Sequence, residues 1–260
     1  MKKLRKIVFI MYLCLITCKR NYIFILKASI SPIFLSLTAL FMLRDSNVEQ
    51  YFSYVIVGSS IMGMWISNVL ITSNEIRSEI FLGTFELINY STTKISTIVW
   101  IRAIVYSLLG LISTSIMILL FLVINNNEFS IQNLGLFSIF LLFSVLCLST
   151  MGLLLSALFV LMKEFSSLAV IFTRLIFVLC GVMFPITLLP KGIEVISYLL
   201  APTWIVILLQ SIITNNYSVI NLTLYTFIIL LQTICYYYIS NILFHKISYK
   251  LTKGDSLGGI

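Results

Sequence analysis

Residues 99–124 read VWIRAIVYSLLGLISTSIMILLFLVI, with a single charge, Arg102, near the start. A transmembrane helix takes roughly 20 consecutive, mostly apolar residues. This stretch exceeds that length and is apolar on every face of a helix. A transmembrane β-strand would instead alternate apolar and polar residues over about 10 positions. The run therefore reads as a membrane-spanning α-helix, and a barrel does not fit.

The rest of the chain is of the same kind. Its 260 residues are 60% hydrophobic and 10% charged, with a mean hydropathy of +1.09. A water-soluble globule has no use for that much apolar surface, so the class is an all-α polytopic membrane protein. Six transmembrane helices are expected at 23–43, 51–73, 97–124, 134–162, 167–186 and 219–243. The connections are short, so 1–260 reads as one transmembrane domain without linker, repeat or low-complexity tract.

Lysine and arginine set the orientation, since cytoplasmic loops carry them in excess. With the N-terminus inside, the inner side and adjoining helix ends hold Lys2, Lys3, Arg5, Lys6, Lys19, Arg20, Lys27, Arg77, Lys94, Arg102, Lys163, Lys246, Lys250 and Lys253. The outer side has only Arg44 and Lys191, beside Asp45, Glu49, Glu128 and Glu194. Both termini are thus expected in the cytoplasm, with an even number of spans.

Segment 187–213 is long enough for a further span, but crossing there would carry the basic tail HKISYKLTK outside. Pro190, Glu194 and Pro202 also interrupt its apolar run. It reads as two short helices forming a re-entrant hairpin on the outer side, which requires that the interrupted backbone be buried in protein or face a wet cavity. Residues 1–22, MKKLRKIVFIMYLCLITCKRNY, are similar to a signal peptide, yet no small-residue cleavage pair follows. They are read as a retained helix at the inner membrane surface, held by acyl contacts and anionic headgroups.

Cys14, Cys18, Cys147, Cys180 and Cys235 lie in apolar runs with no metal-site spacing, and are expected as small buried hydrophobes. The net charge of +8 has no soluble domain to carry it, so it reports membrane orientation rather than a nucleic-acid surface.

Against this background residues 75–94, EIRSEIFLGTFELINYSTTK, stand out, because three of the nine acidic residues crowd into them. On an ideal helix Glu75, Glu79 and Glu86 fall within roughly 40° of one another. Ile76, Ile80, Phe81, Phe85, Leu87 and Ile88 cover most of the other side. The loop 74–96 is therefore expected as an amphipathic helix, its apolar face on the membrane and its acidic stripe toward the cytoplasm, interrupted at Gly83 and Thr84. One reading has the carboxylates keep the loop solvated; the other has them dock a basic cleft of a cytoplasmic partner.

ISNVLITSNEIRSEIFLGTFELINYST resembles the second span and following loop of type 2 ATP-binding-cassette exporter permeases, the ABC-2 permeases. There an acidic residue precedes Gly-Thr-x-Glu and a small apolar run; Glu79, Gly83, Thr84 and Glu86 stand at those positions. The family often continues into Ser/Thr-Pro, whereas this chain has Ser91, Thr92 and Thr93 with no proline. About 100 residues on, LCGVMFPITLLPKGIEVISYLLAPTWIVILLQSI is similar to the family's fifth span and extracellular hairpin. Gly181, Phe184, Pro185, Leu189 and Pro190 fit Gly-x-x-Phe-Pro-x-x-x-Leu-Pro, and Pro202 opens the next short helix. The two matches, in order, let the resemblance cover nearly the whole chain.

The resemblance implies the membrane-spanning subunit of an ATP-driven exporter in a bacterial cell membrane, paired with a second permease and with cytoplasmic ABC ATPase subunits. The loop carrying Glu75, Glu79, Gly83, Thr84 and Glu86 would be the coupling helix. A phosphate-binding loop needs a Gly-Lys pair, and the chain contains none. ATP and Mg would accordingly be bound by the partner ATPase, leaving this chain with no cofactor and no catalytic site of its own.

Arg174, within the fifth span, is the outstanding intramembrane charge. Such a group marks a functional site, or it snorkels or pairs internally, with Glu164 for instance. Gln232 and Asn68 are weaker cargo or gating candidates, because intramembrane amides often bond a neighbouring helix. No aromatic track for a polysaccharide is evident. His245 sits among lysines of the tail, with no acid–base partner. The expected cargo is amphipathic, a drug-like natural product or antimicrobial peptide, with a lipid or lipid-linked glycan as the alternative. An ion-coupled secondary transporter is the alternative from another class, and would need coupling-ion ligands near the midplane.

Overall fold

A computed structural model of the chain describes residues 2–20, 26, 30–35, 37–38, 41, 51–91, 93–124, 133–161, 165–182 and 186–252. The described elements are helical, as the composition demands: α1 (Lys2–Arg20), α2 (Tyr51–Ile66), a π-helical turn (Ser67–Ile71), α3 (Thr72–Phe81), α4 (Thr84–Asn89), α5 (Ile95–Ile124), α6 (Leu134–Leu161), α7 (Phe165–Leu179), a 3-10 turn (Ile186–Leu188), α8 (Lys191–Tyr198), α9 (Ala201–Ile213) and α10 (Val219–Thr252).

Among the described residues, four stretches are long and apolar enough to cross a membrane: Ser53–Phe81, Ile95–Leu120, Leu134–Leu161 and Val219–Lys250. A fifth is possible if the bent pair α8 and α9 counts as one span. Of the expected first span at 23–43, the described residues 26, 30–35, 37–38 and 41 are helical, and the remainder lies outside the described residues. The expected fifth span at 167–186 is helical only to Leu179, and Phe184 and Pro185 lie outside. Lys27, Arg44, Asp45, Glu49, Glu128, Lys163, Glu164 and Lys253 lie outside as well.

Helix α2 is the centre of the bundle. Ile56, Val57 and Met64 are wholly buried, and Trp65 donates from Nε1 to Thr173 Oγ1 of α7 at 3.4 Å. Its polar residues are tolerated because they bond backward along their own helix. Ser59 donates to the Ile56 carbonyl at 2.8 Å and Ser60 to the Val57 carbonyl at 2.7 Å. Small residues let α2 approach α5 closely: a Cβ on Gly63 would come within 2.5 Å of the Gly110 carbonyl oxygen. In the π-helical turn Asn68 reaches α6, donating from Nδ2 to the Leu148 carbonyl at 2.8 Å over Gly152, where a Cβ has no room.

Two helices run beyond the expected spans. The span expected to end at 73 continues as helix to Phe81, because the π-helical turn absorbs an extra residue without breaking the ladder. The helix of the last span, a span expected to end at 243, continues to Thr252, its inner turns held by Phe244 and Ile247 buried against Ile95 and Val99. Cys14, Cys18, Cys147 and Cys180 are buried as expected, but Cys235 is exposed on α10. Burial pushes the Cys14 and Cys18 thiols up to about 11 and about 12, so both are neutral and pack as small apolar groups beside Tyr106 and Val105. Around this core α10 turns Phe227, Leu231, Ile234 and Tyr238 outward, the exposure expected of a helix bathed in lipid.

Leucine at position 110 would be forced into the Gly63 carbonyl and the Ser67 hydroxyl. Overpacking of this kind costs about 1–3 kcal/mol or more, so Gly110→Leu should lower the thermal unfolding midpoint in detergent or prevent folding. Gly135→Ala, whose Cβ meets nothing within 4 Å, should leave the midpoint unchanged or raise it.

Candidate functional site

The acidic loop is built on an unbroken helical lead-in and a glycine corner. α3 ends at Phe81, and Gly83 takes φ +69°, a left-handed conformation that favours glycine. α4 follows at once, and Thr84 Oγ1 donates back to the Glu79 carbonyl at 3.2 Å. Ile76 and Phe85, 0% and 2% exposed, seat the two helices on α5, α6 and α10 at the lysine-rich end of the bundle.

Glu75 and Glu79 do not face outward as expected. Glu79 Oε1 lies 2.7 Å from Arg102 Nη1, and Glu75 Oε2 lies 3.9 Å from the same nitrogen. Tyr106 donates its hydroxyl to Glu75 Oε1 in a short hydrogen bond. All three charged side chains are less than one-fifth exposed, at 17% for Arg102, 15% for Glu75 and 19% for Glu79. The physical reason is pairing: spacing of four residues puts Glu75 and Glu79 on one face of α3 and Arg102 and Tyr106 on one face of α5, and partly buried charges are stable only when paired. Glu86 lies on α4, its side chain outside the described set.

The tip of the loop presents apolar side chains instead. Phe81 is 83% exposed, Leu82 69% and Leu87 69%. Of the apolar side expected to lie on the membrane, Ile76 and Phe85 are buried in the bundle, Ile80 and Ile88 are half-buried, and Phe81 and Leu87 are exposed.

The second motif forms a broken helix pair. Gly181, φ +65°, closes α7 in a Schellman turn, with the Val182 amide donating to the Phe177 carbonyl at 3.4 Å. Pro190 caps α8, Pro202 occupies the first turn of α9, and the two helices meet at 91°. Three successive carbonyls at that bend accept side-chain hydrogen bonds. Thr203 donates to Ser197 at 2.6 Å and Trp204 to Tyr198 at 2.8 Å, while Gln232 and Tyr236 of α10 donate to Leu199 at 3.2 and 3.3 Å. Gln232 and Asn68, considered for cargo, thus both have helix-to-backbone bonds. Arg174 is exposed on α7, and its suggested partner Glu164 lies outside the described residues.

Residues from distant parts of the chain also form an aromatic cluster that sequence reading missed. The Trp204 ring lies 5.5 Å from Tyr198 and 5.7 Å from Tyr225 between centroids. With Tyr54, Gln210 and Asn221 these rings line a cavity of about 670 Å³ at the end of the bundle opposite the acidic loop. Among the described residues no group of three or more His, Cys, Asp and Glu side chains is placed to hold a metal.

The model of a family described as ABC-2 family transporter protein matches residues 8–242. The chain belongs to that family. This ABC-2 protein is a transporter's membrane component and not itself a catalyst, and the kind of partner such permeases work with is an ABC ATPase. No curated protein matches the chain. The ABC-2 motifs map onto the corner at Gly83–Thr84 and the turn at Gly181, while Arg102 and Tyr106, which hold the loop, lie outside both. The signal for Arg102 was its place inside an otherwise apolar run, four residues before a tyrosine.

Removing Arg102 leaves two carboxylates without their cation, whereas removing Glu79 leaves the arginine one partner. Breaking a buried pair costs about 3–5 kcal/mol. Arg102→Gln should therefore destabilise the protein more than Glu79→Gln, and Glu79→Gln/Arg102→Gln should cost less than the sum of the two, as read by thermal unfolding in detergent.

Proposed function

We propose that this chain is the membrane-spanning subunit of an ATP-driven exporter, powered by a separate cytoplasmic ATPase and working beside a second permease. ATP and Mg belong to that ATPase. The proposed topology has six spans, with both termini in the cytoplasm of a bacterial cell. Segment 187–213 forms the outer re-entrant hairpin. Its bend at Leu199 bonds to Gln232, about 20 Å along α10 from Val219 on the helical rise, which supports a hairpin that dips well into the bilayer.

The observation that carries the reading is the acidic loop as a mechanical part. It is fixed to the bundle by Ile76, Phe85 and the Arg102 ion pairs, and it presents Phe81, Leu82 and Leu87 on the lysine-rich side. A rigid post with an apolar tip suits seating in a groove of a moving partner, because tip burial supplies affinity and the anchored base transmits displacement. Glu75 and Glu79 act in this reading as the anchor, and Gly83 and Thr84 shape the corner. Glu86 remains as a polar contact for the partner.

The cargo proposed is an amphipathic molecule, a drug-like natural product or antimicrobial peptide. The aromatic cavity supports this choice, because Tyr54, Tyr198, Trp204 and Tyr225 offer apolar faces with polar edges beside the Gln210 and Asn221 amides.

The test is purification of the tagged chain from its native cells, wild type beside Phe81→Ser/Leu87→Ser. Both side chains are exposed, so the thermal midpoint should stay unchanged, while the amount of co-purifying ATPase should fall at least tenfold. An ATPase retained in full by the variant would overturn the apolar-tip reading. A wild type that brings no ATPase under gentle solubilisation would favour ion-coupled transport instead.

A further inference from the structure

A cavity of about 1080 Å³ lies between the start of α5 and the last turns of α10, on the lysine-rich end of the bundle. It is separate from the Glu75–Arg102 cluster and has no part in the proposed coupling. Lys94 enters it from the foot of α5, and His245 and Lys246 enter from α10. Ser96, Thr97 and Asn241 add neutral hydrogen-bonding groups, and no carboxylate is among its described lining residues. The cavity also receives the positive end of α5, a helix of 30 residues. These groups converge on an anion.

The other wall is largely apolar. Tyr237, which lines the cavity, packs its ring 5.2 Å from that of Trp100, an aromatic pair of the kind found at headgroup level. Tyr238, also lining the cavity, begins an exposed stripe that runs through Ile234, Leu231 and Phe227 on one face of α10. That stripe extends about 16 Å along the helix, a path for a hydrocarbon tail beginning where the cations end. A free phosphate would use the cations but not the stripe, and a soluble protein would have no need of an apolar track running into the bilayer.

We propose that this groove holds an anionic phospholipid of the leaflet on the lysine-rich side, its phosphate between Lys94 and Lys246 and its acyl chain along Tyr238, Ile234 and Leu231. Basic pockets between membrane helices are suited to such headgroups, and each lysine near an anionic surface contributes about fivefold in affinity.

The experiment is a native mass spectrometry titration of the full chain in mild detergent with phosphatidylglycerol, with phosphatidylcholine, and with phosphatidylglycerol in the presence of inorganic phosphate. Wild type should retain phosphatidylglycerol over phosphatidylcholine. Lys94→Gln/Lys246→Gln should bind it about thirtyfold more weakly, and Lys94→Arg/Lys246→Arg should retain it. Both lysines are exposed, so the thermal midpoint in phosphatidylcholine should not change. Equal retention of the two lipids, or undiminished binding by the glutamine variant, would overturn the site. Displacement by millimolar inorganic phosphate would make it a site for a free anion. That result overturns the lipid assignment.

Discussion

In hydrocarbon there is no water to bond a freed carbonyl, and each unpaired backbone group costs several kcal/mol. The irregular parts of this chain are arranged around that constraint. At the bend between Tyr198 and Ala201 the carbonyls of Tyr198 and Leu199 are taken up by Trp204, Gln232 and Tyr236, and that of Ser197, already bonded by the Leu200 amide, accepts Thr203 as well. At the π-helical turn Asn68 leaves the α2 axis and is received by the Leu148 carbonyl. The broken helix pair exists because α10 supplies two of its partners, so the hairpin and the last helix are one structural unit.

The same constraint governs charge. Arg102 lies in the first half of an apolar helix and is stable there because α3 brings two carboxylates to it and Tyr106 bonds one of them. The loop helix and the membrane helix thereby fix one another. Without the continuous helix from α2 through the π-helical turn to Phe81, the carboxylates would not reach their cation. Without Arg102 they would carry the loop away from the bundle toward water.

Much of this was legible before any coordinates. Segments 97–124 and 134–162 show their length and apolarity directly, and α5 and α6 follow them closely. The breaks at Gly83 and around Pro202 were legible because glycine and proline restrict the backbone whatever surrounds them. The direction of the acids was not legible. A helical wheel puts Glu75 and Glu79 on one stripe, but whether that stripe meets water or an arginine depends on a helix more than 20 residues away in sequence. Nor was the aromatic cluster visible, since Tyr198, Trp204 and Tyr225 come from three different helices and meet only after the chain folds back on itself.

The corrected direction of the acids changes what the loop can transmit. A solvated acidic stripe would make a partner's grip depend on ionic strength, because exposed charges are screened within about 10 Å at moderate salt. Charges turned inward are shielded from that screening and serve as a joint between α3 and α5, while Phe81, Leu82 and Leu87 form the surface that is free to be gripped. In the proposed coupling, a push on that tip would pass through the Glu79–Arg102 contact into α5, which packs on α2 through Gly63 and Gly110 with no slack between the backbones. Displacement of the loop would then displace the two helices at the centre of the bundle, without any long-range chain of small adjustments.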